Sequence, residues 1–536
     1  MLIKVSLFLL TIVKVQSADY SQLKNVVTLD VYSFNNSLSS GRWLVLFHRK
    51  SCGGCQRYYP FFANLSAYLA NWRPILNVGV IDCEDNINRQ VCIDQRISSV
   101  PTLKYFPDAA VTVAAQNSSN GVGVRITTKK DLMEVRHSLL QHMRDEITST
   151  SSSYEKLQDI VYEDFHHTPA TLNISEPSGN IEKPDKKYTY ERVPVYADDI
   201  FASLSILLHG DVSMNGNISG EELDALKEFL HMLQLLLPSS QEYKRKLTWI
   251  YTWVKSMPAI SGKQWAAELN RTEFPDYRGE FVACKGSEPR FRGYPCGLWI
   301  MFHALTVRHY ELSKRRLGIP ADIVAHAMSR FIPRFFSCNI CAFHFAANSA
   351  NIAHTNESIP PINRIPPDPV DFTWNASIIA VLPEAPHCPS EEVLWLNAVH
   401  NRVNRRLSGA DTEDPKAPKI IFPPIQACPK CWSIDAKNES ILGGTEETRD
   451  HLLQFLLSHY TLSAWMNEHV PKHIFDTTGI EIFEESQENS SDLMTVAIMS
   501  VLLTLVAVII LLLLSRFFWK CRKRRTQGSY TPARSV

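Results

Sequence analysis

Two Cys-x-x-Cys units of different character stand far apart in the 536-residue chain, Cys52-Gly-Gly-Cys55 and Cys338-Asn-Ile-Cys341. A two-residue loop between cysteines suits thiol–disulfide exchange better than stapling. In exchange, a thiolate attacks a disulfide sulfur through a mixed disulfide. The first unit opens a helix, where free backbone N–H groups and the helix dipole favour a thiolate. Cys52 is therefore the attacking or attacked sulfur and Cys55 the resolving one. Gly53 and Gly54 present no side chain to an incoming protein thiol. The second unit lies in an aromatic, histidine-rich helical stretch, with His344 one turn beyond Cys341. Two such units on different scaffolds suggest that electrons pass from one to the other.

The surroundings of the second unit add a pocket. Trp299 and His303 are four residues apart and share a helix face, as do His400, Val403 and Asn404, with Asn401 adjacent. An aromatic ring, histidines and a dithiol in a helical bundle suit a planar polar cofactor. Covalent haem would need Cys-x-x-Cys-His, which the chain lacks. A structural zinc site would need two such cysteine pairs roughly 12–20 residues apart, and these are spaced far more widely, so no metal is expected. Asp211–Glu222 superficially suggests an EF-hand, but its oxygen ligands miss the required loop positions.

The elements that must position these residues follow from the pattern. Val26–Asp30 predicts a short strand, Trp43–His48 and Val78–Asp82 predict buried ones, and Thr102–Phe106 predicts another after the Val100-Pro101 step. A helix is expected from the CGGC through Leu69, and a closing helix from Thr128. This βαβ pattern with CxxC at the first long helix is a thioredoxin-like signature over residues 19–145. Residues 146–195 read as an exposed linker. From Val195 the pattern turns helical: Asp198–Leu208, Ser219–Leu233 with the Ser-x-x-Glu of a capping box, and Tyr243–Lys255. No chemistry stands out over 196–280, which reads as a helical spacer.

The ends and the cysteines bear on compartment. Residues 1–18 have the early lysine, short apolar run and small residues of a secretory signal. Leu493–Leu514 is uncharged and long enough to span a bilayer. The basic cluster after it, from Arg516 to Arg525, places the tail at 515–536 in the cytosol. Residues 441–492 are left as a stalk. Ten Asn-x-Ser/Thr sequons (Asn35, Asn64, Asn117, Asn173, Asn217, Asn270, Asn356, Asn375, Asn438 and Asn489) spread along the exported part. Of the twelve cysteines only Cys521 follows the span, and it is either palmitoylated or a free thiol. The others fall into local pairs with Cys388 left over, and in an oxidising compartment such pairs read as disulfides, although sequence alone does not fix connectivity. Lysine plus arginine and aspartate plus glutamate both number 55, so nothing suggests a nucleic-acid partner.

Three segments go further. Ser287–His303 (SEPRFRGYPCGLWIMFH), Phe335–His344 (FFSCNICAFH) and Val393–Asn404 (VLWLNAVHNRVN) closely resemble the Erv-like flavin domain of quiescin sulfhydryl oxidases. Asp414–Lys419 and Cys428-Pro-Lys-Cys431 extend the likeness, which places that domain at 281–440. The resemblance implies FAD as cofactor, with contacts from Arg292, Trp299, His303, His344, Asn397, His400, Asn401, Val403, Asn404, Lys419 and Phe422. It implies that Cys338 is the interchange cysteine and that Cys341 faces the flavin. Cys83/Cys92, Cys284/Cys296 and Cys428/Cys431 would be structural disulfides.

Three departures stand out. Ile340, Asn397 and Phe422 occupy positions where better-known members have Asp, Trp and Trp. CGGC replaces the more usual Cys-Gly-His-Cys. Finally, linker-like sequence stands where animal members carry a second thioredoxin domain.

The expected architecture is multidomain α/β plus all-α: thioredoxin-like domain, helical spacer, Erv-like FAD-binding bundle and a single C-terminal transmembrane helix. The expected activity is oxidation of thiols in secretory proteins, with O2 reduced to H2O2 and electrons passing from Cys52/Cys55 to Cys338/Cys341 to FAD. The expected location is the secretory pathway, as a type I protein of Golgi or cell surface. A flexible tether of about 50 residues spans roughly 35–40 Å, enough for the two domains to dock and part. A membrane-anchored disulfide isomerase or redox chaperone is the competing reading, and an adhesion or receptor-like glycoprotein a third.

Overall fold

The computed structural model describes residues 19–73, 75–108, 123–147, 192–314, 318–350, 386–434 and 440–476. The expected signal (1–18), most of the expected linker and the apolar run Leu493–Leu514 lie outside the described residues. Among the described residues, no helix is long and apolar enough to cross a membrane.

The first module is a five-stranded sheet of β1 (Val27–Thr28), β2 (Arg42–His48), β3 (Leu76–Asp82), β4 (Thr102–Phe106) and β5 (Val124–Ile126), in the order β1-β3-β2-β4-β5. β1 and β2 run parallel to β3, while β4 is antiparallel to both β2 and β5. β2 is buried along its whole length, which explains its unbroken apolar run, covered on both faces. Around the sheet lie α1 (Val31–Leu38), α2 (Gly53–Tyr68), α3 (Arg89–Asp94) and α4 (Leu132–Ile147). β2 delivers the chain to the CGGC at the start of α2, and the Val100–Pro101 peptide before β4 is cis.

The second module is helical: α5 (Ala197–Ser205) running into a π-helical turn at Ile206–Val212, then α6 (Glu221–Leu236), α7 (Gln241–Ser256), α8 (Gly262–Arg271), α9 (Gly293–Ser313), α10 (Ile323–Phe335), α11 (Asn339–Ala350), α12 (Pro389–Leu407) and α13 (Glu446–Tyr460). The capping box expected at Ser219 does not form around that residue. Gly220 is the N-cap of α6, at φ +53° and without a side-chain cap, because Ser219 belongs to a two-residue strand paired with Ala259–Ile260.

One hydrophobic core runs from Val195 to Phe475, so the boundary expected at residue 280 does not separate two packing units. Phe229 of α6 stacks on Phe331 of α10 at 3.8 Å. α5 lies so close to α9 that a Cβ on Gly297 would meet the Ser203 hydroxyl at 2.2 Å and the Asp199 carbonyl oxygen at 2.4 Å. The expected stalk is corrected in part as well. α13 packs into the same core, and Asp198 accepts from the Tyr277 hydroxyl and from the backbone N–H of Glu468 and His469 at 2.9–3.0 Å. A buried carboxylate that satisfies several donors from a later segment fixes that segment.

If 196–280 and 281–440 share one core, Phe229→Ala destabilises both together. The expected cost is about 3–5 kcal/mol, read as one shifted denaturant transition of the helical module rather than early melting of residues 196–280 alone.

Candidate active site

Cys52 is the N-cap of α2, and its sulfur accepts the Cys55 backbone N–H at 3.4 Å. Both cysteines are buried and reduced. Burial alone would raise the Cys52 thiol. The Cys55 thiol and the backbone N–H groups of Cys55 and Gly54, helped by Arg57, bring it below the ordinary value instead. Burial and the neighbouring Cys52 push Cys55 well up. The pair is thus asymmetric, with the thiolate on the outer sulfur.

The second dithiol is a disulfide, Cys338–Cys341, at the start of α11. It sits against the first. Val100, beside the cis proline, donates its N–H to the Ser337 carbonyl at 2.8 Å and pairs as a parallel bridge with Cys338. Cys338 and Ile340 belong to the buried cluster of the thioredoxin-like module, together with Cys52 and Cys55.

Around this contact, Arg49 and Asp211 form an ion pair at 2.5 Å, with side chains 3% and 0% exposed. The same Asp211 carboxylate accepts from the Tyr294 hydroxyl at 2.8 Å and from the Ser337 N–H at 3.0 Å. The Gln56 amide donates to the Arg290 carbonyl at 2.8 Å, and Arg89 meets Asp276 at 2.9 Å.

Cys341, at the other end of the disulfide, lines a cavity of about 380 Å³. Its wall includes Arg292, Trp299, His400, Val403, Asn404, Lys419 and Phe422 from the sequence-derived set. Trp299 and His400 stack nearly parallel, 4.2 Å apart at 2°. Four expected cofactor contacts stand behind that wall. His303 shares a ring-nitrogen hydrogen bond of 3.0 Å with His400 and stacks on Tyr460 at 4.8 Å. His344 is buried. Asn397 and Asn401 both donate to the Phe422 carbonyl, and the Phe422 N–H donates to Asn401. These two amides brace the Phe422–Pro423 turn, so their placement is that of positioning residues.

Sequence reasoning missed His459, Tyr460 and Phe345, which also line the cavity. The two from α13 could have been found, since Leu452, Leu453 and Leu456 repeat at helical spacing behind the Thr445–Thr448 cap.

The cavity's electrostatics are specific. Burial and the approach of His459 push His303 down to about 3. Burial and His303 hold His400 well below its usual range, and burial with Arg192 takes His459 to about 4. All three rings are neutral at physiological pH. Lys419 is pushed down by burial and by Arg292 beside it, and the buried Arg292 Nε has no hydrogen-bond partner among the described residues. Two cations crowd one apolar wall next to a flat neutral ring stack. That combination fits FAD, with the rings against an isoalloxazine or adenine and the cations against its pyrophosphate.

The remaining disulfides join Cys83 to Cys92, Cys284 to Cys296 and Cys428 to Cys431, while Cys388 is free and buried.

This arrangement is a thioredoxin fold docked on a helical dithiol and cofactor module. Residues 25–126 match the thioredoxin family, and residues 191–287 match the family described as flavin adenine dinucleotide (FAD)-dependent sulfhydryl oxidase. The second match falls largely on the segment expected to be a spacer. Sulfhydryl oxidase 1 of Rattus norvegicus is 26% identical over 495 residues, covering 73% of this chain and 61% of that protein. Sulfhydryl oxidase 2 of Homo sapiens is 25% identical over 522 residues, covering 79% and 70%. A solved sulfhydryl oxidase fragment of human QSOX1 aligns at 26% identity over 52% of this chain and 100% of the fragment, with a TM-score of 0.41. The chain thus pairs a thioredoxin domain with an FAD-dependent sulfhydryl oxidase domain and is a homologue of the sulfhydryl oxidases. It spans about three fifths of the length of the first of these relatives.

The lowered Cys52 thiol gives a pH prediction. A thiolate is present above its pKa, so iodoacetamide should label Cys52 in the reduced protein with a midpoint below the ordinary thiol range. Cys55→Ala removes the strongest stabilising hydrogen bond and should move that midpoint upward. A wild-type midpoint at or above the ordinary thiol value would contradict the assignment.

Proposed function

We propose that the chain is an FAD-dependent thiol oxidase that introduces disulfides into reduced secretory proteins, 2 R–SH + O2 → R–S–S–R + H2O2. The observation that carries this reading is the two-sided Cys338–Cys341 disulfide, one sulfur against the CGGC module and the other on the cavity.

A substrate thiolate attacks the oxidised Cys52–Cys55 pair at Cys52, and a second substrate thiol resolves the mixed disulfide. Cys52 and Cys55 leave with two electrons. The Cys52 thiolate then attacks Cys338, Cys341 departs as thiolate into the cavity, and Cys55 attacks Cys52 to release Cys338. FAD, when bound, would supply a two-electron acceptor for the Cys341 thiolate and a route from there to O2. Trp299, His400, Val403, Asn404 and Phe422 would hold its rings, and Arg292 and Lys419 its phosphates. His303, His344, Asn397 and Asn401 support that wall.

The signal-like start, the sequons and the two disulfides at Cys83–Cys92 and Cys284–Cys296 support an oxidising, secretory-pathway location. The apolar run Leu493–Leu514 supports a type I membrane anchor with both modules on the lumenal or extracellular side.

Oxygen uptake separates this reading from an isomerase. The purified protein should be yellow and consume O2 with a reduced protein substrate. Cys52→Ser should lower that rate at least about tenfold while a small dithiol still reduces Cys338–Cys341 directly, and Cys341→Ser should abolish both. Colourless protein with full isomerase activity would overturn the proposal.

A further inference from the structure

We propose that Gly54 and Ile340 form a matched steric pair that decides which dithiol the Cys338–Cys341 disulfide can oxidise. This rests on the relay reading above. Gly54 is the second residue of α2, and it is absent from the glycines held at positive φ, so its own backbone does not require glycine. Within its module the nearest atom to a Cβ there is the Cys52 sulfur at 3.5 Å, an ordinary contact. What excludes a side chain comes from the other module. The added Cβ would lie 2.6 Å from Ile340 Cγ2. Ile340 is β-branched, restricted at χ1, and fully buried, so it has little room to turn away. The adjacent Gly53 is different, since its Cβ would meet only Thr412 at 3.7 Å or beyond.

The pair joins two features that looked separate in the sequence. Gly54 and Ile340 are two of the positions where this chain departs from the family it resembles, and they touch in the docked state. The missing side chain is the hole and the isoleucine methyl is the knob. A dithiol bearing any side chain before its resolving cysteine therefore meets Ile340 before its sulfur reaches Cys338. External substrates approaching Cys52–Cys55 meet no such restriction. The pair thus acts on the internal exchange alone, in which the Cys52–Cys338 bond forms as the Cys338–Cys341 bond breaks and Cys341 leaves as thiolate.

The test uses the full-length chain carrying Cys55→Ser and Cys341→Ser. Cys338 is activated as a mixed disulfide by Ellman's reagent, so attack by Cys52 releases thionitrobenzoate and leaves a stable Cys52–Cys338 bond, quantified by peptide mass spectrometry. Adding Gly54→Ala should slow this bond about tenfold, the scale of an overpacked contact. Adding Ile340→Ala as well should restore it to within about threefold, because the Ile340 Cγ2 at 2.6 Å is then gone and the nearest neighbours left, the Cys52 sulfur at 3.5 Å and the residue-340 Cβ at 3.6 Å, are ordinary contacts. Gly54→Ala should not lower the thermal midpoint, since alanine favours helix over glycine, and this separates a docking fault from misfolding. Unslowed linkage in Gly54→Ala, or slowed linkage that Ile340→Ala does not restore, overturns the steric pair and leaves the relay standing. Absence of the Cys52–Cys338 bond in the parent overturns the relay and the pair together.

Discussion

Thiol–disulfide exchange has no reach, because the attacking sulfur must touch the one it attacks. Everything between the two modules serves that contact, and the buried Arg49–Asp211 ion pair organises it. Arg49 lies three residues before Cys52. Asp211 holds the backbone N–H of Ser337, the residue before Cys338, and the hydroxyl of Tyr294 near the start of α9. One carboxylate therefore sets the thioredoxin-like module, the second dithiol and the cavity-lining helix in register. A buried pair recovers little more than the cost of desolvating its charges. Parting the modules returns both charges to water, so the contact orients strongly without having to bind strongly. That property suits the proposed relay, which would dock to pass electrons and part to receive substrate.

The helical module gives the proposed relay its direction. A disulfide with one sulfur buried against CGGC and the other facing a cavity has an entrance and an exit. The cavity beyond it is lined by stacked neutral rings on one part and by Arg292 and Lys419 on another. The histidines are neutral because burial removes their charge. The net positive character of the wall then comes from Arg57, Arg290, Arg292, Arg406 and Lys419, with Arg292 and Lys419 placed where phosphates would offset them.

What the sequence made legible was local. The buried strands β2, β3 and β4 and the CGGC helix are marked by continuous apolar runs and by cysteines whose spacing carries its own chemistry. α1 and β5 were not expected. α1 is short and rich in Asn and Ser, which favour turns as readily as helix, and β5 is only three residues long. The division at residue 280 failed because amphipathic helices reveal a buried face without revealing its partner. Phe229 and Phe331 are a hundred residues apart in sequence, and nothing in either segment announces their stacking. Asp211 was weighed as a metal ligand and rejected, yet its role as an interdomain acceptor depends on a π-helical turn and on Arg49, far away in the chain. Asn397 and Asn401 were assigned to the cofactor on the strength of the family resemblance. The direction of each side chain, toward the Phe422 turn, is a tertiary fact.

The central claim is that electrons pass within one chain from Cys52/Cys55 to Cys338/Cys341 and on to the cavity. It is tested most directly by mixing oxidised protein with saturating reductant that acts at CGGC and following loss of the flavin absorbance at 450 nm, roughly the usual oxidised flavin band. The account predicts a limiting rate constant that stays the same over about a hundredfold range of protein concentration, as an intramolecular step requires. A rate that rises in proportion to protein concentration, or persists undiminished in Cys52→Ser, would contradict it.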